Sequence, residues 1–505
     1  MTITAHYIPE PLLEFGSGQK VEHPQDGLFL YGPVDSSDKP AVIRVGVIGT
    51  VAGIDLVKVW LKQLTGRMPV RNPEKLHTSP WPGFQAAFGA RLDTEPLASI
   101  AVSGSAIDRE IRKTNRTDAV RATVKLFEDA LNEHLRTEET RPAVWLVVVP
   151  EIVHDYGRPA VSGPRNATRS ELMSVRSARG FLQEGSLFPE MEQEAQTYLF
   201  ASNFHHQLKC QLLNKEVVIQ IVRDTTLNPS LVLDNFGNPK RSVQEPAKIA
   251  WNFATTLYFK ARAQPWQIAD VRPGVCYVGL VFKQDPSPAA RGEACCAAQM
   301  FLNSGNGVVF RGALGPWYSE KTREFHLSRI AAADLIGQVV KAYEKAHGVP
   351  PTELFIHGRQ RFSKEEWAGF QSAVPPETNL VGVRIRSTQD LRLFRPEADV
   401  PVLRGTAVIV TRREGYLWTT GYVPRLKTYA GFETPKPISV NIDYGDGDMM
   451  AVMRDVLALT KVNYNACDYA SGLPVTLKFA DRVGDILIAS PNGAKAPPLP
   501  FRFYI

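Results

Sequence analysis

The chain has 505 residues, 44% of them hydrophobic and 22% charged, with 58 Lys and Arg against 52 Asp and Glu for a formal net charge of +6. That length exceeds one ordinary core and implies roughly two to four domains, and the composition excludes a disordered chain, a collagen-like fibre and a coiled-coil rod. No apolar run approaches the roughly 18 residues of a membrane span. The first residues lack a secretory signal. The five cysteines, none at zinc-ligand spacing, argue against a disulfide framework or structural zinc and fit a reducing cytoplasm.

The first forty residues are punctuated by Pro and Gly and resist assignment. An α/β pattern follows. Residues 41–48 read as a buried strand, 49–53 as a turn, and Ile54, Val57, Leu61 and Leu64 as one helical face. Gly46, Gly49 and Gly53 make a dinucleotide site conceivable, but the fingerprint spacing is wrong, and tight strand-to-helix packing explains them better. A helix is predicted over 117–135 and a central parallel strand over 143–149, since an unbroken apolar run after a helix fits a strand covered on both faces. Residues 156–176 have loop composition and four arginines, which predicts a mobile basic insertion. A helix at 204–213, a strand at 217–222 and a helix at 245–260 complete the first unit. A second α/β unit has strands at 275–282, 307–310, 353–356, 380–386, 406–410 and 415–420, with helices at 328–347 and 446–460.

Hydrolytic motifs are absent: the sequence has no G-x-S-x-G, no P-loop and no H-E-x-x-H. His205–His206 could ligate a metal, but no carboxylate or cysteine follows at helical spacing. A basic set is more informative. His205 and Lys209 are four apart and share a helical face, Gln220 follows eleven residues later, and Lys248 lies 39 residues after Lys209. Like charges one turn apart repel, and an anion between them would offset the repulsion. Two lysines, an amide donor and an aromatic ring suit a terminal phosphate joined to a nucleobase.

This spacing resembles the guide 5′-phosphate pocket in the MID domain of Argonaute proteins, matched here by His205, Lys209, Gln220 and Lys248. The stretch Tyr277–Val281 resembles the first strand of a PIWI domain, an RNase H-like fold. Residues 459–465 resemble a guide-contacting stretch, with Lys461 and Asn463 on the guide backbone, and 472–481 resemble the closing helix. The chain ends in apolar Ile505, whose carboxylate, by the same resemblance, helps hold Mg²⁺ on the guide phosphate. Cys295–Phe301 and Gly315–Tyr318 are similar to phrases of short prokaryotic Argonautes, which carry MID and PIWI only. The implied architecture is α/β: an N-terminal segment (1–40) packing on the body, a Rossmann-like MID domain (41–245) and an RNase H-like PIWI domain (246–505).

The chain departs from an active PIWI domain, which needs a carboxylate tetrad to hold two metal ions. The first aspartate should fall at Val281 and the next near His357–Gly358. Asp481 stands roughly at the last position and reads best as a solvated helix residue, while Glu320 is a conceivable mobile glutamate. The resemblance therefore implies a catalytically silent protein in the cytoplasm. It would hold a 5′-phosphorylated guide RNA, pair it with single-stranded target DNA and activate an APAZ-domain partner. That partner would carry a TIR, sirtuin-like or nuclease effector, most plausibly one that degrades NAD, in prokaryotic immunity by abortive infection. No length is left here for a second lobe, so a heterodimer is expected, with higher assembly on activation. The alternatives are an autonomous guide-directed nuclease and a nucleotide-binding α/β enzyme using the Gly46–Gly53 turn.

Overall fold

The computed structural model describes residues 4–35, 39–70, 79–159, 195–233, 236–237, 244–269, 272–284, 294–301, 308–311, 317–319, 324–389, 391–394, 399–429, 433–491 and 497–505, with positions 173, 177–178, 181, 191 and 431. Most of the expected basic insertion, and Glu320, lie outside these residues.

Four parallel strands build the first half in the order Ala98–Ala101, Val45–Gly49, Val144–Val149 and Ile219–Arg223. All six residues of Val144–Val149 are buried, as an unbroken apolar run predicts for a central strand. Val144, Leu146 and Val148 face one core cluster, and Trp145, Val147 and Val149 face another. Helix Val51–Thr65 starts where the Thr50 hydroxyl accepts the Gly53 N–H at 3.1 Å. A Cβ at Gly46 would stand 2.5 Å from the Trp145 ring, and one at Gly49 would stand 2.7 Å from the Val148 carbonyl oxygen. Strand packing therefore accounts for these glycines without a ligand.

The second half is a nine-stranded mixed sheet. Its order is Thr4–Tyr7, Thr406–Thr411, Glu414–Leu417, Ile438–Tyr444, Asn379–Ser387, Glu353–Gly358, Val275–Gln284, Ala294–Phe301, Val308–Arg311. Glu353–Gly358 runs parallel to both of its neighbours, and the remaining pairs are antiparallel. Strand alternation splits Val275–Gln284 between two cores: Cys276, Val278 and Leu280 pack with helix Arg329–His347, whereas Tyr277 and Val281 face the core that includes helix Val475–Leu487. The N-terminal segment does more than pack on the body, since Thr4–Tyr7 adds the edge strand of this sheet.

Helix Pro246–Lys260 joins the halves. Trp251 meets Trp81 edge-on at 4.8 Å and Tyr258 stacks on Phe88 at 4.5 Å, both partners in the first half. Phe259 stacks on Tyr464 at 4.6 Å, in the second. The expected boundary at 245/246 thus falls at the start of a helix that both halves share, and one core cluster runs through both.

A Cβ on Gly279 would lie 1.8 Å from the Thr476 carbonyl oxygen, whereas one on Gly337, inside helix Arg329–His347, would meet nothing within 4 Å. Gly279→Ala should therefore cost about 1–3 kcal/mol through overpacking. Gly337→Ala should be neutral or stabilising by up to about 1 kcal/mol. Chemical denaturation of the two variants side by side checks both signs.

Candidate nucleic-acid interface

A cleft of about 580 Å³ lies at the carboxyl ends of strands Val144–Val149 and Ile219–Arg223, lined by Val149, Arg223 and the following helical turns. Parallel sheets present ligands at this end. Helix Phe204–Leu212 enters it with Asn203 as N-cap, whose side chain accepts the His206 N–H at 3.2 Å. One turn apart on that helix, His205 exposes its ring and Lys209 is buried, and both line the cleft. Gln220, on the last strand, lines it as well.

Lys248 does not. Its amine pairs with Asp468 and lines a separate cavity beside His23, Arg404 and Tyr469. The lysine of this helix that reaches Gln220 is Lys260, at the other end. Its Nζ donates to the Ile219 carbonyl at 2.6 Å and to Gln220 Oε1 at 2.7 Å. At 3.6 residues per turn, twelve residues place the two lysines about 120° apart around the helix, so only one can face this cleft. Linear spacing does not say which. Arg482, from helix Val475–Leu487, and Asn465 also line the cleft and were not singled out from the sequence.

Lys209 Nζ donates to the Tyr504 carbonyl at 3.1 Å. Burial, with Arg482 nearby, lowers its pKa to about 7. Burial, and then Lys209, hold Lys260 well below its ordinary value. Among the described residues no Asp or Glu side chain lines this cleft. Tyr504, whose carbonyl Lys209 engages, and Ile505, whose carboxylate is the expected magnesium ligand, both line the cleft. A magnesium ion is commonly held by one or two carboxylates plus phosphate oxygens and water. This donor set therefore accommodates one only together with a phosphate. The described group that most resembles a metal site, Glu151, His154 and Asp155, is crossed by Arg223, which donates to Glu151 Oε1 at 3.2 Å.

Of the expected guide-backbone pair, Lys461 is buried. Its amine donates to Glu10 Oε1 at 2.8 Å and lies 3.8 Å from the centre of the Tyr469 ring. Asn463 closes a turn by accepting the Asn465 N–H at 3.2 Å. Arg404 shares Glu10, with Nε 2.9 Å from Oε2, so one buried carboxylate holds two buried cations. Burial alone would raise the Glu10 carboxyl, but the two cations outweigh it and hold it below its ordinary value.

Three of the residues expected at degenerate nuclease positions share one cavity. Val281, Gly358 and Asp481 line a cavity of about 260 Å³. His357 is buried beside it, its Nδ1 2.9 Å from the Thr476 hydroxyl, and burial lowers its pKa to about 3. Asp481 is not simply solvated: Lys283 Nζ lies 2.7 Å from it and 2.9 Å from Asp485, and Arg359 approaches Asp481 at 3.4 Å. Two cationic side chains, Lys283 and Arg359, thus stand against Asp481.

No protein-family model matches the sequence, and no curated protein sequence matches it. Among solved structures, the chain is similar to Clostridium butyricum Argonaute bound to a guide DNA with 5′ deoxycytidine and a 19-mer target DNA. The TM-score is 0.61 at 14% identity, over 98% of this chain and 54% of that one. It is also similar to Aa-Ago with externally bound siRNA (TM-score 0.55, 14% identity, 99% and 56% covered). A third likeness is to A. aeolicus Argonaute (TM-score 0.52, 15% identity, 97% and 53% covered). The chain spans about half the length of these proteins. Its fold is the mixed α/β MID–PIWI fold of Argonautes. Among the described residues no helix is long and apolar enough to cross a membrane.

Glu10→Ala should leave two buried cations without their counter-ion and cost about 3–5 kcal/mol of stability. Because the Glu10 pKa is depressed on folding, its contribution is present above the unfolded carboxylate value and disappears as pH falls through the folded one. Wild type should therefore lose stability toward acid more steeply than the variant in parallel urea titrations.

Proposed function

We propose that the protein is a guide-binding, catalytically silent short Argonaute. It holds a 5′-phosphorylated RNA in the first-half cleft and pairs it with single-stranded DNA. The observation that carries this reading is the convergence of Lys209, Gln220, Arg482 and His205 on one cleft of a MID-type domain, with Lys260 bonded to Gln220 behind it. A terminal phosphate is a dianion with several acceptor oxygens at pH 7. It would receive charge from Lys209 and Arg482, a hydrogen bond from the Gln220 amide, and a ring beside the first base from His205. Lys260 keeps Gln220 oriented from below. Mg²⁺, when bound, would add positive charge between the phosphate and the Ile505 carboxylate. Base pairing supplies the sequence specificity, while the protein grips backbone and shape.

The second-half cavity supports the reading of chemical silence. Two-metal hydrolysis needs carboxylates to hold the ions, and the expected positions are Val281 and Gly358 here, with Lys283 and Arg359 on Asp481. The response to a target would then belong to another chain. We propose an APAZ-bearing partner that completes the nucleic-acid channel and is switched on by pairing, with NAD consumption as the output in prokaryotic immunity.

Lys209→Ala should weaken binding of 5′-phosphorylated RNA by about tenfold to a hundredfold, the equivalent of one hydrogen bond to a charged group. Lys248→Ala should change it little, and the Lys209 effect should shrink for a 5′-hydroxyl guide. Fluorescence anisotropy with the two guide types separates these cases. Equal losses for both guides would place Lys209 on the backbone instead.

Co-expression with an APAZ-domain protein encoded beside this chain should give a heterodimer on size exclusion. With guide and complementary DNA in Mg²⁺ or Mn²⁺, that complex should consume NAD and leave the DNA uncut. Cleavage at one position opposite the guide would contradict the silent reading, and a chain that stays alone beside its neighbour would contradict the partner.

A further inference from the structure

Helix Val51–Thr65 is apolar on more than its buried face. Ile54, Val57, Leu61 and Leu64 sit in the core. Leu56, Val59 and Gln63 recur at i, i+3 and i+7, a second face beside the first, and with Trp60 they line a groove of about 780 Å³. Leu56 and Trp60 contribute to both the core and the groove, whereas Val59 is 55% exposed. One apolar stripe is enough to seat a surface helix on its own core, so a second stripe calls for a second contact. The other walls are residues 66–69, the turn Pro229–Val232 and the start of helix Pro246–Lys260. The groove shares Thr226 and Ile249 with the phosphate cleft and is otherwise distinct from it.

The chemistry of the groove narrows what fits it. Lys62 and Arg67 are exposed, both line it, and neither forms an ion pair among the described residues. Among those residues no Asp or Glu lines it. Pro69, Pro229 and Pro246 make part of the wall rigid, which lowers the ordering cost of a contact. The Trp60 indole Nε1 is buried with no hydrogen-bond partner among the described residues, and a carbonyl oxygen of an entering chain is the acceptor it lacks. A sugar–phosphate backbone would match the two cations but set its polar surface against Leu56, Val59, Met68 and Ile249. An apolar surface alone would leave the cations unmatched. An extended peptide segment alternates its side chains, so it can turn apolar residues to the wall and carboxylates to Lys62 and Arg67.

We propose that this groove seats an extended segment of the partner protein, one that carries both acidic and apolar side chains. The inference rests on the partner reading above. The chain spans about half the length of the Argonautes it resembles, and a partner that supplies the rest needs a grip on this chain that leaves the guide cleft open. The groove meets that need, since only Thr226 and Ile249 belong to both. Lys62 and Arg67 steer the acidic segment in and fix its direction, while Val59 and its neighbours hold it.

The test uses the full chain co-expressed with the neighbouring APAZ-domain protein. Val59 is replaced by the photo-crosslinking residue p-benzoylphenylalanine, the heterodimer is irradiated, and the cross-linked peptide is sequenced by mass spectrometry. The expected product is a partner peptide of net negative charge with apolar residues among the acidic ones. In parallel, Lys62→Glu with Arg67→Glu should weaken the heterodimer roughly tenfold, the gap closing as salt is raised, while 5′-phosphorylated RNA binds as before. The same two reversals at Lys341 and Lys345, exposed on helix Arg329–His347, should leave the heterodimer unchanged. A cross-link to RNA, to a second copy of this chain or to a basic partner segment would overturn the inference, as would an intact heterodimer that gives no cross-link from Val59. Unchanged affinity in the Lys62–Arg67 variant, or an equal loss in the Lys341–Lys345 variant, would overturn it too. In each of these cases a wild-type heterodimer keeps the partner reading standing. A wild-type chain that forms no heterodimer brings down the partner reading, and this inference with it.

Discussion

Two lysine amines buried where the halves of the molecule meet, with neutral oxygens as their only described hydrogen-bond partners, set the terms for the rest of the structure. Lys209 reaches from the first half to the Tyr504 carbonyl at the chain end, and Lys260 reaches from the shared helix to Gln220. A fold selected only for stability would replace such groups with apolar ones, since unpaired buried charge is costly. Lys209 in a cleft at the carboxyl end of a parallel sheet, backed by Lys260 through Gln220, points to a ligand that brings the missing negative charge. The aromatic seam around helix Pro246–Lys260, from Trp81 through Trp251 to Phe259 and Tyr464, gives the halves a common core stiff enough to hold the amines in place.

The second cluster of buried charge works differently. Glu10 lies between Arg404 and Lys461, so the N-terminal segment supplies the counter-ion for two cations of the second half. That pairing, with the edge strand Thr4–Tyr7, ties the start of the chain into the nine-stranded sheet. It also explains why Lys461, which by resemblance belongs on a guide backbone, is turned inward here. Its charge is already matched, whereas that of Lys209 is not.

Much of the fold was legible because its signals are local. The unbroken apolar strand Val144–Val149, the helical faces of Val51–Thr65 and Arg116–Thr137, and the alternating strands of the second half all lie where periodicity places them. Strand Ile438–Tyr444, despite its alternating burial, and helix Lys364–Ser372, despite its Ser363–Glu366 capping box, were missed, as was the four-residue, wholly exposed N-terminal strand, which is made by tertiary pairing. The cleft was legible as a spacing, and His205, Lys209 and Gln220 do come together in it. Lys260 and Arg482 were hidden for a geometric reason. Which of two lysines on one helix faces a cleft depends on its rotation, and which residue of a closing helix reaches across a domain junction depends on docking. Neither leaves a mark in linear spacing.

The account stands or falls on what the cleft carries in the cell. The direct measurement is to purify the protein under mild salt, extract whatever nucleic acid comes with it, and end-label that material with and without prior phosphatase treatment. The account predicts short RNAs of narrow length that accept label only after phosphatase, and that disappear from a Lys209→Ala preparation. Co-purifying nucleic acid of random length that labels without phosphatase, or an unchanged RNA load in the variant, would contradict it.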